Sequence, residues 1–169
     1  MFKKTAIALT LFSLSLTAVA ADWQVGGGFG QLSDSSDGDD ISLNFIYGSV
    51  AYKIENSAKN FYLMPELRLG SGVGDDSLYG AKIEVESLLA LSLRGQYDFN
   101  NRAYVYVMPS YANLDLKASY RGESASDDSW EFGFGAGVGY SLNKKVSVEA
   151  SYETYDGTKL LSVGFKYAF

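Results

Sequence analysis

The segment from Leu160 to Phe169 alternates strictly, and both of its faces constrain the fold. One face carries Leu161, Val163, Phe165, Tyr167 and Phe169; the other carries Leu160, Ser162, Gly164, Lys166 and Ala168. A period of two is the period of a β-strand. Residues 130–141 repeat it, setting Trp130, Phe132, Phe134, Ala136, Val138 and Tyr140 against Glu131, Gly133, Gly135, Gly137, Gly139 and Ser141. In a soluble sandwich the bulky face would be the core and the other face would meet water. Glycine has no packing purpose on a wetted face. It fits a face turned into a narrow lumen, where small residues leave room for long ones on neighbouring strands. The bulky face then points outward, into an apolar medium.

Read this way, the chain predicts eight strands, near 22–31, 41–54, 61–70, 81–98, 102–116, 129–141, 145–155 and 158–169. The composition suits them, with 13 Tyr, 10 Phe and 18 Gly against 2 Pro. Connections alternate between long Ser/Asp/Gly-rich segments (32–40, 71–80, 117–128) and short ones (55–60, 99–101, 142–144). The fourth long connection is replaced by Asp156-Gly157, a strong hairpin signal. An even number of strands, each long enough to cross a bilayer at about 9–11 residues, predicts an all-β fold: a transmembrane eight-stranded antiparallel up-and-down β-barrel. In the second strand Phe45-Ile46-Tyr47 interrupts the alternation, so its register could slip by one.

Residues 1–20 have the layout of a secretory leader: Lys3 and Lys4, an apolar run from Ala6 to Leu16, then Ala18-Val19-Ala20. Cleavage is expected before Ala21. It removes two lysines and no carboxylate, so the net charge moves from −6 to −8, and residues 21–169 form the barrel domain.

An internal repeat supports the strand count. Tyr52, Tyr97 and Tyr140 each lead into a short turn with a Tyr-x-apolar-x-x pattern, and Leu63, Val107 and Val148 follow those turns at spacings of 44 and 41 residues. The three tyrosines fall at equal depth, where a periplasmic aromatic girdle is expected. The charges divide similarly. The three long connections hold nine carboxylates and two cations, whereas Lys53, Lys59, Arg102, Lys144 and Lys145 flank the short turns.

The absence of histidine and cysteine excludes Ser-His-Asp catalysis, a cysteine nucleophile, imidazole or thiolate metal sites and disulfides. An acidic chain lacks the basic footprint of a nucleic-acid partner. Residues 34–40 cluster aspartates around a glycine but lack the complete calcium-loop spacing. No enzymatic activity, metal or cofactor is expected. Strand parity turns Glu66, Arg68, Glu84, Glu86, Arg94, Gln96, Glu131, Glu149, Glu153 and Lys166 inward. Buried charges need partners. A lumen network is therefore expected among Glu66, Arg68, Arg94, Glu131, Glu149 and Lys166, with Glu149 beside Lys166, and Glu66 and Arg68 beside Arg94.

At this point the chain resembles the small eight-stranded outer-membrane barrels of OmpA/OmpX type, the porin-family outer-membrane proteins. The resemblance rests on the glycine-rich opening strand, Val25-Gly26-Gly27-Gly28-Phe29-Gly30, and on Val163-x-Phe165-x-Tyr167-x-Phe169 at the carboxy end. It implies that Phe165, Tyr167 and Phe169 form the signal read by the outer-membrane assembly machinery. It also implies a bacterial outer-membrane location and contact with membrane lipid and lipopolysaccharide. Two departures stand out: no peptidoglycan-binding module follows the barrel, and Pro65 and Pro109 fall inside strands, where each removes a ladder donor.

The expected protein is a monomer with a structural or surface-interaction role: envelope integrity, adhesion or recognition through acidic loops. A narrow low-conductance channel is the alternative. A soluble lipocalin-like carrier would need the opposite arrangement of faces.

Overall fold

The computed structural model describes residues 22–36, 39–54, 56–74, 76–78, 81–120 and 123–169, and side chains among these outside 34–41, 75–84 and 116–128. The expected leader and most of the acidic side chains of the long connections lie outside the described residues. Nine strands follow one another: β1 (Trp23–Ser36), β2 (Asp39–Tyr52), β3 (Phe61–Gly72), β4 (Asp76–Leu78), β5 (Ala81–Asp98), β6 (Ala103–Tyr120), β7 (Glu123–Ser141), β8 (Val146–Tyr155) and β9 (Thr158–Ala168). Among the described residues consecutive strands pair antiparallel except β3 and β4, β1 pairs with β9, and β3 pairs with β5. Eight strands thus close into a barrel, while β4 extends one rim against β5.

Burial is inverted relative to a soluble protein. Phe132 is 68% exposed, whereas Glu153 is fully buried at 0%. No hydrophobic effect in water would hold such an exterior in place. It is stable where the surroundings are hydrocarbon, and closure satisfies the strand edges that lipid cannot.

Glycine explains how eight strands hold large inward side chains. A Cβ at Gly133, Gly137 or Gly139 of β7 would overlap ring atoms of Tyr155, Tyr106 and Tyr104 respectively. The three rings therefore lie flat against the bare backbone of the neighbouring strand. Gly30 does the same for Phe45. That space settles the second strand. Phe45 and Tyr47 both point inward with ring centroids 6.0 Å apart, and Ile46 points out at 55% exposure. The alternation continues unbroken.

Three features depart from the sequence expectation. The segments 32–40 and 117–128 are not loops for most of their length: β1 and β2 stay paired to Ser36↔Asp39, and β6 and β7 to Tyr120↔Glu123. Ladder bonding needs only backbone, so polar strands continue past the apolar band where composition alone suggests a loop. Glu86 stands at a β-bulge between Val85 and Ser87. The extra residue reverses parity, so Val85 turns inward and Glu86 is exposed, against the inward expectation. The Glu84 side chain lies outside the described residues. Finally, Pro65 follows the point where the β2–β3 ladder ends at Ala51↔Glu66, and Pro109 falls in the gap of the β5–β6 ladder between Ser92↔Ser110 and Gly95↔Val107. Each proline sits where its missing N–H leaves no ladder bond broken on its other side, at Leu93 and Phe134.

Candidate functional site: the lumen and its two unlike ends

The inward side chains form stacked layers. Nearest the short turns, Arg94 on β5 donates to both oxygens of Glu149 on β8, at 2.9 and 2.6 Å. The hydroxyls of Tyr104 and Tyr106 donate to the same carboxylate at 2.7 and 3.4 Å. The Arg94 guanidinium also lies 3.5 Å from the centroid of the Tyr106 ring and 3.8 Å from Glu66. Glu66 in turn accepts from Lys166 Nζ. One layer further, Arg68 grips Glu153 with two donors at 2.6 and 3.2 Å, and Tyr155 donates to that carboxylate at 2.6 Å. Bidentate guanidinium–carboxylate pairing is the strong form of such contacts, and it fixes geometry as well as charge.

Three cations and three carboxylates therefore neutralise one another inside the barrel. Glu66 does lie beside Arg94 as the sequence suggests, at 3.8 Å, but the main pairings differ. Glu149 bonds Arg94 rather than Lys166, and Arg68 bonds Glu153, which parity alone did not single out. Barrel stagger decides this: residues meet across the lumen, not only between adjacent strands. Glu131 does not join the network. It is half-buried and accepts from Ser129 Oγ at 3.2 Å, apart from the six charges.

Beyond the second ionic layer the lumen turns apolar. Phe45, Leu88 and Leu160 are buried there with Leu32, Leu43, Val85, Ala90 and Ala112, and Tyr155 borders them. The cavity left among Leu32, Leu88, Leu114 and Leu160 is only about 20 Å3. That is room for about one water molecule, which the surrounding leucines give few polar partners. Sequence reasoning missed the apolar layer, although Leu32 and Leu160 on otherwise small, polar faces were its signal.

The two ends differ. At one end β5, β6 and β7 rise together, β5 staying paired with β6 to Lys82↔Ser119, whereas the β7–β8 ladder begins only at Gly133↔Tyr155. Among the described residues, β7 pairs only with β6 from Glu123 to Phe132. The β8–β9 hairpin beside it is cut short by Asp156-Gly157, whose φ values of 31° and 100° suit a two-residue turn. At the other end the strands meet in short turns ringed by outward aromatics. Tyr97 and Tyr140 are exposed there, and Tyr52 lies 5.0 Å from the Trp23 ring. Phe165, Tyr167 and Phe169 run outward along β9 to this end, the last two rings 5.3 Å apart.

The fold has close counterparts of known structure. Ail of Yersinia pestis superposes with a TM-score of 0.66 at 17% identity, covering 88% of this chain and 99% of that one. Neisserial surface protein A gives 0.61 at 16% identity, covering 87% and 97%. The N-terminal β-barrel domain of Pseudomonas aeruginosa OprF gives 0.60 at 15% identity, covering 88% and 98%. At such identities the likeness is one of fold. No curated protein sequence matches the chain. The family model for the outer membrane protein beta-barrel domain, however, matches residues 5–169. With its inverted burial, closed sheet and membrane-length strands, the chain belongs to the outer-membrane β-barrel family.

Proposed function

We propose that this protein is a non-conducting barrel that mounts a surface-interaction site on the outer membrane, and that it carries out no catalysis. Residues 1–20 serve as the export leader. Phe165, Tyr167 and Phe169 are read by the assembly machinery, and Tyr52, Tyr97 and Tyr140 anchor the periplasmic interface. The barrel works as a monomer in contact with lipid and lipopolysaccharide.

The observation that carries this reading is the edge of β7 above the rim, which is unpaired among the described residues. From Glu123 to Phe132 it offers roughly 30 Å of backbone donors and acceptors at about 3.3 Å per residue. An exposed edge is a template for an added strand. The short β8–β9 hairpin leaves the approach to it open. Chemistry narrows the partner. One solved structure of Ail holds a heparin analogue, sucrose octasulfate. The segments 32–40, 71–80 and 117–128 here hold nine carboxylates and two cations. They favour a cationic partner, or one joined through divalent cations, over a sulfated glycan.

Deleting residues 118–125 shortens the β6–β7 hairpin without touching the barrel. Cells displaying the shortened protein should lose adherence to immobilised basic protein, while refolding and stability stay nearly intact. Planar-bilayer recordings of the full-length protein should show no unitary current. A current that responds to changes at Glu66 or Arg94, together with adherence that survives the deletion, would replace this reading with a channel.

A further inference from the structure

The turn end of the lumen opens into a basin of about 670 Å3. We propose that this basin is a binding site for a phosphate-class anion, a site independent of the surface interaction at the opposite end.

Charge is the first reason. The lining includes Lys53, Arg102, Lys144, Lys145 and Lys166 against a single carboxylate, Asp98. Lys166 is committed to Glu66, and Asp98 accepts from Gln96 Nε2 at 2.6 Å. Among the described residues no ion pair neutralises Lys53, Arg102, Lys144 or Lys145. A concave polar site with low-dielectric walls concentrates the field of such charges.

Two of the cations are also held in place. Lys53 Nζ lies 3.5 Å from the centroid of the Tyr62 ring, a cation–π contact that keeps the ammonium at the mouth. Arg102 has φ of 71°, a left-handed conformation that costs an ordinary side chain about 1–2 kcal/mol. Neighbouring Asn101 or a glycine would suit that position better. The strained backbone sets the guanidinium between the β5–β6 and β7–β8 turns, where Nη1 reaches the Leu142 carbonyl at 3.5 Å. Asn60 ends the preceding short turn with the same left-handed φ of 63°, so the conformation belongs to the turn and the guanidinium is what Arg102 adds to the mouth.

The floor is the third reason. Tyr104 and Lys166 line the basin, and both are tied into the ionic layer by their bonds to Glu149 and Glu66. An anion entering from the turn end meets a floor of paired groups, so what holds it is the set of cations at the mouth. The fork of Arg102 and the ammonium groups suit a tetrahedral oxyanion. The volume exceeds that of one phosphate and leaves room for the group that carries it.

Amide NMR titration of the full-length barrel in phosphatidylcholine nanodiscs tests this, with inorganic phosphate and then pyrophosphate as probes. Saturable shifts should centre on Lys53, Arg102 and Ser147. The Lys53→Gln/Arg102→Gln variant should bind about tenfold or more weakly, and Asp98→Asn about threefold more tightly. A second arm adds phosphatidylglycerol to the nanodisc. Shifts at the same residues that appear only there, and vanish in the double variant, assign the phosphate to a lipid headgroup. Absence of saturation in both arms, or equal affinity in the double variant with unchanged affinity in Asp98→Asn, overturns the proposal.

Discussion

The Arg68–Glu153 pair gives the sharpest test of a dry, neutralised lumen. The Glu153 side chain is 0% exposed and that of Arg68 is 3% exposed. Replacing Arg68 with Met keeps much of the volume and removes both charge-assisted bonds. Glu153 is then left with the Tyr155 hydroxyl as its remaining donor at 2.6 Å. Orphaning one member of a buried ion pair costs about 3–5 kcal/mol, because the remaining charge stays out of water. That is a fifth or more of the ~5–15 kcal/mol that holds a typical domain together. The double variant Arg68→Met/Glu153→Gln leaves no orphan and should cost less than either single change, so the coupling should exceed the ~3–5 kcal/mol cost of one single change. Arg94→Met should fall at the lower end of the same range. Its partner Glu149 keeps two tyrosine hydroxyls, and its side chain is 10% exposed. Reversible urea unfolding in lipid vesicles, followed through Trp23 and Trp130, reads all four free energies. Single-variant costs that add within ~0.5 kcal/mol would place water beside Glu153 and refute a dry ionic layer.

Two further outcomes follow from the faces of the sheet. Arginine at Phe134 or Phe165, both more than half exposed on the outer surface, should cost about 2–4 kcal/mol near the bilayer midplane in vesicle refolding titrations; no loss at either would mean that the outer face is not lipid-facing. Gly137→Val, which drives a side chain into the Tyr106 ring, should cost ~1–3 kcal/mol by overpacking, and Tyr106→Ala should recover part of that loss in the double variant.

Much of the architecture was legible from the chain because a membrane barrel writes its geometry into a two-residue period. Trp130–Tyr140 and Leu161–Phe169 display the outer face directly, and Asp156-Gly157 marks the tight hairpin that the structure contains. Length was less legible. Ser and Asp near residues 33–36 and 123–128 read as loop, since composition reports the medium around a strand and not whether its backbone is paired. The bulge at Glu86 was invisible for a related reason: one extra residue reverses parity without altering composition.

The lumen marks the boundary between the two kinds of information. The sequence by itself determined that bulky side chains face out and that glycines and charges face in. Only the tertiary structure decided that Arg94 meets Glu149, that Arg68 meets Glu153, and that Phe45, Leu88 and Leu160 converge into an apolar layer. A period of two is a local property of each strand. Contact across the lumen depends on how far every strand is staggered against the next, and that offset accumulates around the closed sheet from backbone pairings no single strand encodes.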